Sequence, residues 1–137
     1  MIPGNYNLEI YRGDTYRWTL LLWQDDERLT PYDLTNLSEA KAEVRDGPCG
    51  NLIITLDLTV EQPQTIKIEL PANLSRQLPC ARSRVPGQIV TWRGAWDLEL
   101  TFESGDVNTI LTGQVIVTPD ITRSVENVTP AALRVVA

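Results

Sequence analysis

The chain has 137 residues, of which 42% are hydrophobic and 22% charged, a composition typical of a single globular domain. Its net charge of −6 argues against general binding to nucleic acids or to anionic membranes. No apolar run approaches the roughly 18 residues that span a bilayer, and the N-terminus lacks the pattern of a signal peptide. The sequence therefore predicts a protein that is made and folded in the cytosol.

The first two predicted strands lie on either side of an Arg-Gly-Asp turn at residues 12–14. Residues 6–11 alternate apolar and polar side chains, which is the pattern of a half-buried strand. Residues 15–24 continue the alternation, but Leu21 and Trp23 make the second face apolar near the end. An apolar pattern on both faces favours a central strand, or one covered by a neighbour.

Three further strands are predicted at residues 38–45, 52–60 and 65–70, where apolar and polar side chains alternate. A loop at residues 29–37 precedes them, and the sequence Asp-Gly-Pro-Cys-Gly at 46–50 is a strong turn signal.

Residues 71–78 favour a short helix of about two turns, because one proline stands at its start and another follows its end. A long loop is predicted at residues 79–94. No acidic residue lies between Glu69 and Asp97, whereas arginines occupy positions 76, 82, 84 and 93. This basic stretch is either a docking surface for an acidic partner or a solvated loop.

Residues 93–117 predict the best-specified element of the chain, a β-hairpin closed by Ser-Gly-Asp at 104–106. Its first strand alternates an apolar face with an acidic, solvated one. In the β-branched return strand, Gly113 suggests a bulge or the close approach of another backbone. The apolar face is predicted to consist of Trp96, Leu98, Leu100 and Phe102.

Together these elements predict an all-β fold, a sandwich of two antiparallel sheets with about seven strands and one short helical turn. Residues 1–117 form the predicted β-sandwich domain, and residues 118–137 a C-terminal extension. This extension is apolar yet interrupted by prolines. It is expected either to cross its own domain or to insert into a partner, for example by strand addition.

Residues that commonly carry catalysis are few. The chain has no histidine, and two cysteines without histidine do not form a standard zinc site. Asp97 and Glu99 imitate the carboxylate pair of a glycosidase, but their regular spacing on a strand favours a solvated face. We therefore predict no enzymatic activity and no cofactor. Cys49 and Cys80 are expected to be reduced, although a bridge between their two loops is possible.

Four tryptophans raise the question of sugar binding, since aromatic faces stack on pyranose rings. Trp18 and Trp96 fall on apolar strand faces and are predicted core residues. Trp23 at a strand end and Trp92 in the long loop are the candidates for exposure. Exposed tryptophans also serve in protein interfaces.

Five short segments resemble, in their order, the small immunoglobulin-like domains of tailed-bacteriophage virions, including the N-terminal domain of upper baseplate proteins. They are RGDT at 12–15, DLT at 33–35, DLEL at 97–100, GQVIV at 113–117 and DITR at 120–123. The match spans residues 6–123. The loop after position 78 is longer than in that pattern, and the family's receptor-binding or fibre-anchoring continuation does not follow.

The resemblance implies an immunoglobulin-like β-sandwich that acts as a non-enzymatic structural protein of the virion, in the tail, baseplate or neck. Its implied partners are other virion structural proteins and copies of itself, without nucleic acid or membrane, after synthesis in the host cytoplasm. The alternatives are a head decoration protein that stabilises the capsid and a carbohydrate-binding module for host recognition. Partner binding is predicted for Trp23, Trp92, Arg82, Arg84, Ile121, Arg123, Val125, Val128, Leu133 and Val135.

Overall fold

The computed structural model describes residues 3–24, 27 and 29–121. These residues confirm the all-β prediction, because strands predominate and the helix among them is a single turn. The elements are β1 (Gly4–Asn5), β2 (Leu8–Tyr11), β3 (Tyr16–Leu21), β4 (Leu37–Arg45), β5 (Leu52–Glu61), β6 (Thr65–Leu70), α1 (Ala72–Ser75), β7 (Trp92–Phe102) and β8 (Val107–Thr118).

The strands form one curled, mixed sheet in the order β1-β8-β7-β4-β5-β6-β3, with β2 also paired to β8. Strand β5 joins the two halves of this sheet. Its N-terminal half pairs with β4, and its C-terminal half, from Asp57 to Glu61, pairs with β6. Buried side chains from both halves belong to one hydrophobic cluster, so the sheet curls around a common core.

Strands β1 and β2 run parallel to β8, and the prediction of purely antiparallel pairing is wrong at this edge. Leu8 pairs with Val115 and Tyr11 with Thr118. These partners are about a hundred positions apart in sequence, so no local pattern announces them.

Strand β3 lies at the end of the strand order and pairs with β6, which contradicts the central-strand interpretation. Leu21, the last residue of β3, is 55% exposed, so none of the described residues covers its outer face fully. Beyond β3, Trp23 forms an isolated bridge with Pro31. The apolar side chains on both faces therefore occur where the strand ends. There the alternation of apolar and polar residues no longer indicates which face is buried.

The predicted hairpin is confirmed as β7 and β8, and Gly105 adopts a positive φ in its turn. Trp96, Leu98 and Leu100 are buried as predicted, whereas Phe102 is only partly buried. Burying each such side chain contributes about 1.5–3 kcal/mol. Trp18, the other predicted core tryptophan, is 3% exposed and stacks on Tyr16, with ring centroids 5.5 Å apart.

Helix α1 is shorter than the predicted residues 71–78 because the N–H groups of Gln77 and Leu78 bond the carbonyl oxygens three residues back, as in a 3₁₀ turn, and not four back. The side chain of Arg12 donates to the carbonyl oxygens of Arg76 and Leu78, at 2.6 and 2.8 Å. A long-range side chain thus satisfies acceptors at the end of this turn.

Candidate functional site

An open cleft of about 890 Å³, whose lining is polar and apolar in equal measure, lies on the outer face of the sheet, where β4, β7 and β8 are neighbours. Its floor is formed by side chains that alternate with the core positions of these strands. The turn between β4 and β5 and the N-terminal segment form its walls. The lining residues include Asn5, Asn7, Glu43, Arg45, Asp46, Cys49, Arg93, Ala95, Asp97, Thr112 and Gln114.

Two carboxylates and one guanidinium lie at the centre of the floor. Glu43 of β4 stands directly opposite Asp97 of β7 in the antiparallel register. Arg45 pairs with Glu43 at 3.0 Å and donates a second hydrogen bond, also 3.0 Å long, to the carbonyl oxygen of Gly50. Directly opposed like charges destabilise a sheet, and here Arg45 is paired with Glu43 and not with Asp97. The other arginine of the lining, Arg93, donates to Gln114 Oε1 at 3.3 Å.

Asp97 has no counter-ion of its own among the residues that the structure describes, and no side-chain hydrogen bond joins it to them. Burial raises the pKa of the Asp97 carboxyl above 3.8, and the negative charge of Glu43 raises it further, while Arg45 lowers it. Asp97 is only half-buried, so solvent screens part of this repulsion. The floor of the cleft is consequently a place where an added cation is favoured.

The wall formed by the N-terminus depends on Gly113 of β8. A Cβ atom at this position would overlap the carbonyl oxygen of Tyr6, so the predicted close approach of another backbone is confirmed. The indole Nε1 of Trp96 donates to the same Tyr6 oxygen at 2.7 Å. Next to it, Asn7 Oδ1 accepts a 2.9 Å hydrogen bond from the backbone N–H of Gln114. The bulge of the hairpin is not at Gly113. It lies between Leu111 and Thr109, which pair with the adjacent residues Leu98 and Glu99 and so leave one residue of β8 without a partner in β7.

A second polar cluster holds the Arg-Gly-Asp turn. Besides the two carbonyl groups after α1, the Arg12 guanidinium bonds Asp120 Oδ1 at 2.9 Å. The buried backbone N–H of Gly13, which has a φ of +93°, donates to Ser75 Oγ at 2.8 Å. Burial raises the pKa of Asp14, and the nearby charge of Asp120 adds to the effect. This cluster ties the turn after β2 to α1 and to the end of β8.

The two tryptophans predicted to be exposed are both partly buried. Trp92 is the first residue of β7, paired with Val117, and its side chain packs against the hydrophobic core. Its predicted place in the long loop is therefore wrong. Trp96 also lines the cleft but is 3% exposed, so its face is closed to a sugar ring. A stacking platform for a glycan is thus absent from the described lining of the cleft.

The structure places the other predicted partner-binding residues in two regions. Arg82 and Arg84 are exposed in the irregular segment 79–91, and Ile121 is 80% exposed just after Asp120. The remaining five lie outside the described residues: Arg123, Val125, Val128, Leu133 and Val135. None of the three described residues lines the cleft.

Sequence reasoning missed the pairing of Glu43 with Asp97. It treated Asp97 and Glu99 as a solvated pair on one strand, yet both are half-buried. The sequence does show an acidic residue at an outward-facing position of each of these two strands. Whether the two residues face each other depends on which strands are neighbours in the sheet. Among residues 3–24, 27 and 29–121, no group of three or more His, Cys, Asp or Glu side chains could hold a metal ion. Cys49 and Cys80 are both free thiols.

Comparison with known proteins gives no assignment, since neither a protein-family model nor a curated protein matches this chain. Within the described part of the chain, no helix has the length and apolar character needed to cross a membrane.

Proposed function

We propose that this chain is a non-enzymatic structural protein of a tailed-bacteriophage virion, built on an immunoglobulin-like domain. It acts in the tail, baseplate or neck, by binding other virion proteins and copies of itself, after synthesis in the host cytoplasm. The observation that carries the proposal is the strand order of the sheet, taken together with the order of the five resembling segments.

The strand order supports an immunoglobulin-like topology. In immunoglobulin constant-type sandwiches, strands C, F and G form one sheet, and strands A, B, E and D form the other. If β2 is counted as strand A, then β4, β7 and β8 are the adjacent strands C, F and G. Strands β3, β6 and β5 likewise correspond to B, E and D. Two pairings depart from this pattern: β2 pairs with β8, and β5 pairs with β4 as well as with β6, which makes the sheet continuous.

Residues of the resembling segments have roles in holding the fold, which supports a structural relationship. Arg12 of the first segment is paired with Asp120 of the last. Asp33 of the second accepts a 2.9 Å hydrogen bond from the backbone N–H of Thr35, while the intervening Leu34 is fully buried. Gly113 admits the N-terminal backbone. Residues that hold the fold together are what an assembly domain requires, and these residues do so through the contacts above.

The proposal is tested on particles of the phage or prophage whose genome carries the coding sequence. Virions are purified on a density gradient, and the chain is quantified by mass spectrometry against a virion protein of known copy number. We expect the chain to sediment with intact particles and to resist a salt wash. Recovery only in the soluble fraction of the lysate would refute a structural role.

The same measurement separates the tail assignment from head decoration. A tail, baseplate or neck protein occurs in few copies, up to about a dozen, because it follows the rotational symmetry of the tail. A decoration protein covers the whole capsid and occurs in far larger numbers. Separated heads and tails, analysed in parallel, assign the chain to one of them directly.

A further inference from the structure

Among the described residues that line the cleft, Arg45 and Arg93 carry positive charge, and neither forms an ion pair with Asp97. Arg45 is already paired with Glu43 and with the carbonyl oxygen of Gly50, and Arg93 donates to Gln114, so both guanidinium groups bond acceptors other than Asp97. The Asp97 carboxylate is half-buried beside another carboxylate and has no ion-pair partner within the described chain. An incoming guanidinium would relieve repulsion and form charge-assisted hydrogen bonds in the same place.

The segment 79–91 has the complementary property. Arg82 and Arg84 are exposed, and neither forms an ion pair with any described residue. Val85 and Ile89, which follow closely, are 58% and 57% exposed, so the segment also presents apolar area to solvent. Arginine is enriched at protein interfaces, and the buried core of an interface is more apolar than the rest of the surface.

We propose that a second copy of this chain docks its 79–91 segment into the cleft, placing Arg82 or Arg84 against Asp97. Within one copy this segment does not line the cleft, so each copy offers both surfaces to its neighbours. An acidic partner would satisfy the arginines alone, and a basic partner the carboxylate alone. A second copy pairs both the arginines and the carboxylate, because every copy carries both surfaces and the two are therefore present at equal concentration.

The contact gives a specific surface to the self-association proposed above, but it is inferred only from charges within this chain. Isolated protein can therefore refute the contact while virion fractionation still supports a structural role, and the reverse also holds. Because the two surfaces differ, the contact is heterologous unless two copies exchange segments reciprocally.

The test uses charge reversal on each side. One variant, Arg82→Glu with Arg84→Glu, alters the segment; the other, Asp97→Lys, alters the cleft. Lysine at position 97 faces Glu43, an opposite-charge pair that favours the fold. Asp57→Lys is the matched control, because Asp57 is an exposed strand residue that faces Glu69 and lies away from the cleft.

Sedimentation velocity over a wide concentration range measures association of the full chain. We expect the parent and the Asp57→Lys control to self-associate at low salt and to weaken as salt rises. Each reversal variant alone should lose at least about tenfold in affinity. An equimolar mixture of the two should regain association, because one copy retains its segment and the other its cleft.

Three results would overturn the contact: a parent that stays monomeric, reversal variants that associate like the parent, or a mixture no better than its components. Melting curves of all variants accompany the measurement. A variant that fails to fold is replaced by its neutral form, Asp97→Asn or Arg82→Gln with Arg84→Gln, for which the same loss is expected.

Discussion

Replacing Gly113 by alanine should destabilise the protein by displacing its N-terminal segment. The new Cβ would overlap the Tyr6 carbonyl oxygen, and would lie 2.7 Å from the carbonyl carbon and 3.0 Å from Nε1 of Trp96. These atoms are backbone and a buried ring, so they cannot move aside as the end of a flexible side chain would. The Tyr6 backbone must therefore retreat from β8.

Two costs follow from that retreat. Overpacking in a well-packed region costs about 1–3 kcal/mol, and an indole N–H left without its acceptor costs about 1–3 kcal/mol. The costs overlap, since the movement that relieves the clash is the one that breaks the hydrogen bond of Trp96. We expect a net loss of about 2–4 kcal/mol in the free energy of unfolding. For a domain of this length, Tm should fall by about 10 °C.

Urea unfolding followed by circular dichroism measures this loss, with Gly47→Ala as the control. Gly47 lies in the turn after β4, and no atom would come within 4 Å of a Cβ there. The control should remain within about 0.5 kcal/mol of the parent. If Gly113→Ala is no less stable than Gly47→Ala, the N-terminal segment does not cross β8 at this glycine.

Three further predictions concern the two polar clusters and the C-terminal extension. Arg12→Lys should cost about 2–3 kcal/mol in urea unfolding, because the single nitrogen of an ammonium cannot reach all three acceptors that Nε, Nη1 and Nη2 of the guanidinium contact separately; an unchanged midpoint would contradict the cluster. Asp97→Asn should stabilise the fold at pH 7 by about 0.2–1 kcal/mol, since it removes a negative charge that burial and, secondly, repulsion from Glu43 disfavour. Because the pKa of Asp97 is raised in the folded state, the native protein binds more protons than the unfolded chain at pH values above 3.8. The stability gain of Asp97→Asn should therefore disappear once pH falls below 3.8, which unfolding measurements in a pH series test. A gain that persists in acid would argue against the repulsion. Deleting residues 124–137 should impair assembly into particles more than folding, and a large fall in the Tm of the isolated chain would contradict this.

Asp97 links stability to the proposed contact. The carboxylate that we expect to weaken the isolated fold is the one that we propose a second copy binds. A stabilising Asp97→Asn substitution that also weakens self-association would fit a residue retained for binding at some cost in stability. Stabilisation without any change in association would leave Asp97 as an ordinary crowded carboxylate and would count against the contact.

Local patterns in the sequence were sufficient for most strands. Strand β6 has the predicted bounds, and β4, β5 and the hairpin agree to within one residue at each end. Alternation also identified the buried faces, because a strand with one side in the core exposes every second residue. Gly113 predicted either a bulge or the close approach of another backbone, and the structure shows the close approach.

The sequence determined the strands, their buried faces and the absence of histidine chemistry, since each depends on residue type or on nearest neighbours. Only the tertiary structure decided which strands are adjacent. That order makes β3 an edge, lays β1 and β2 parallel to β8, and sets Glu43 against Asp97. Strand adjacency is a long-range property, fixed by how the whole chain closes around its core, so the cleft could not be predicted from the strands that form it.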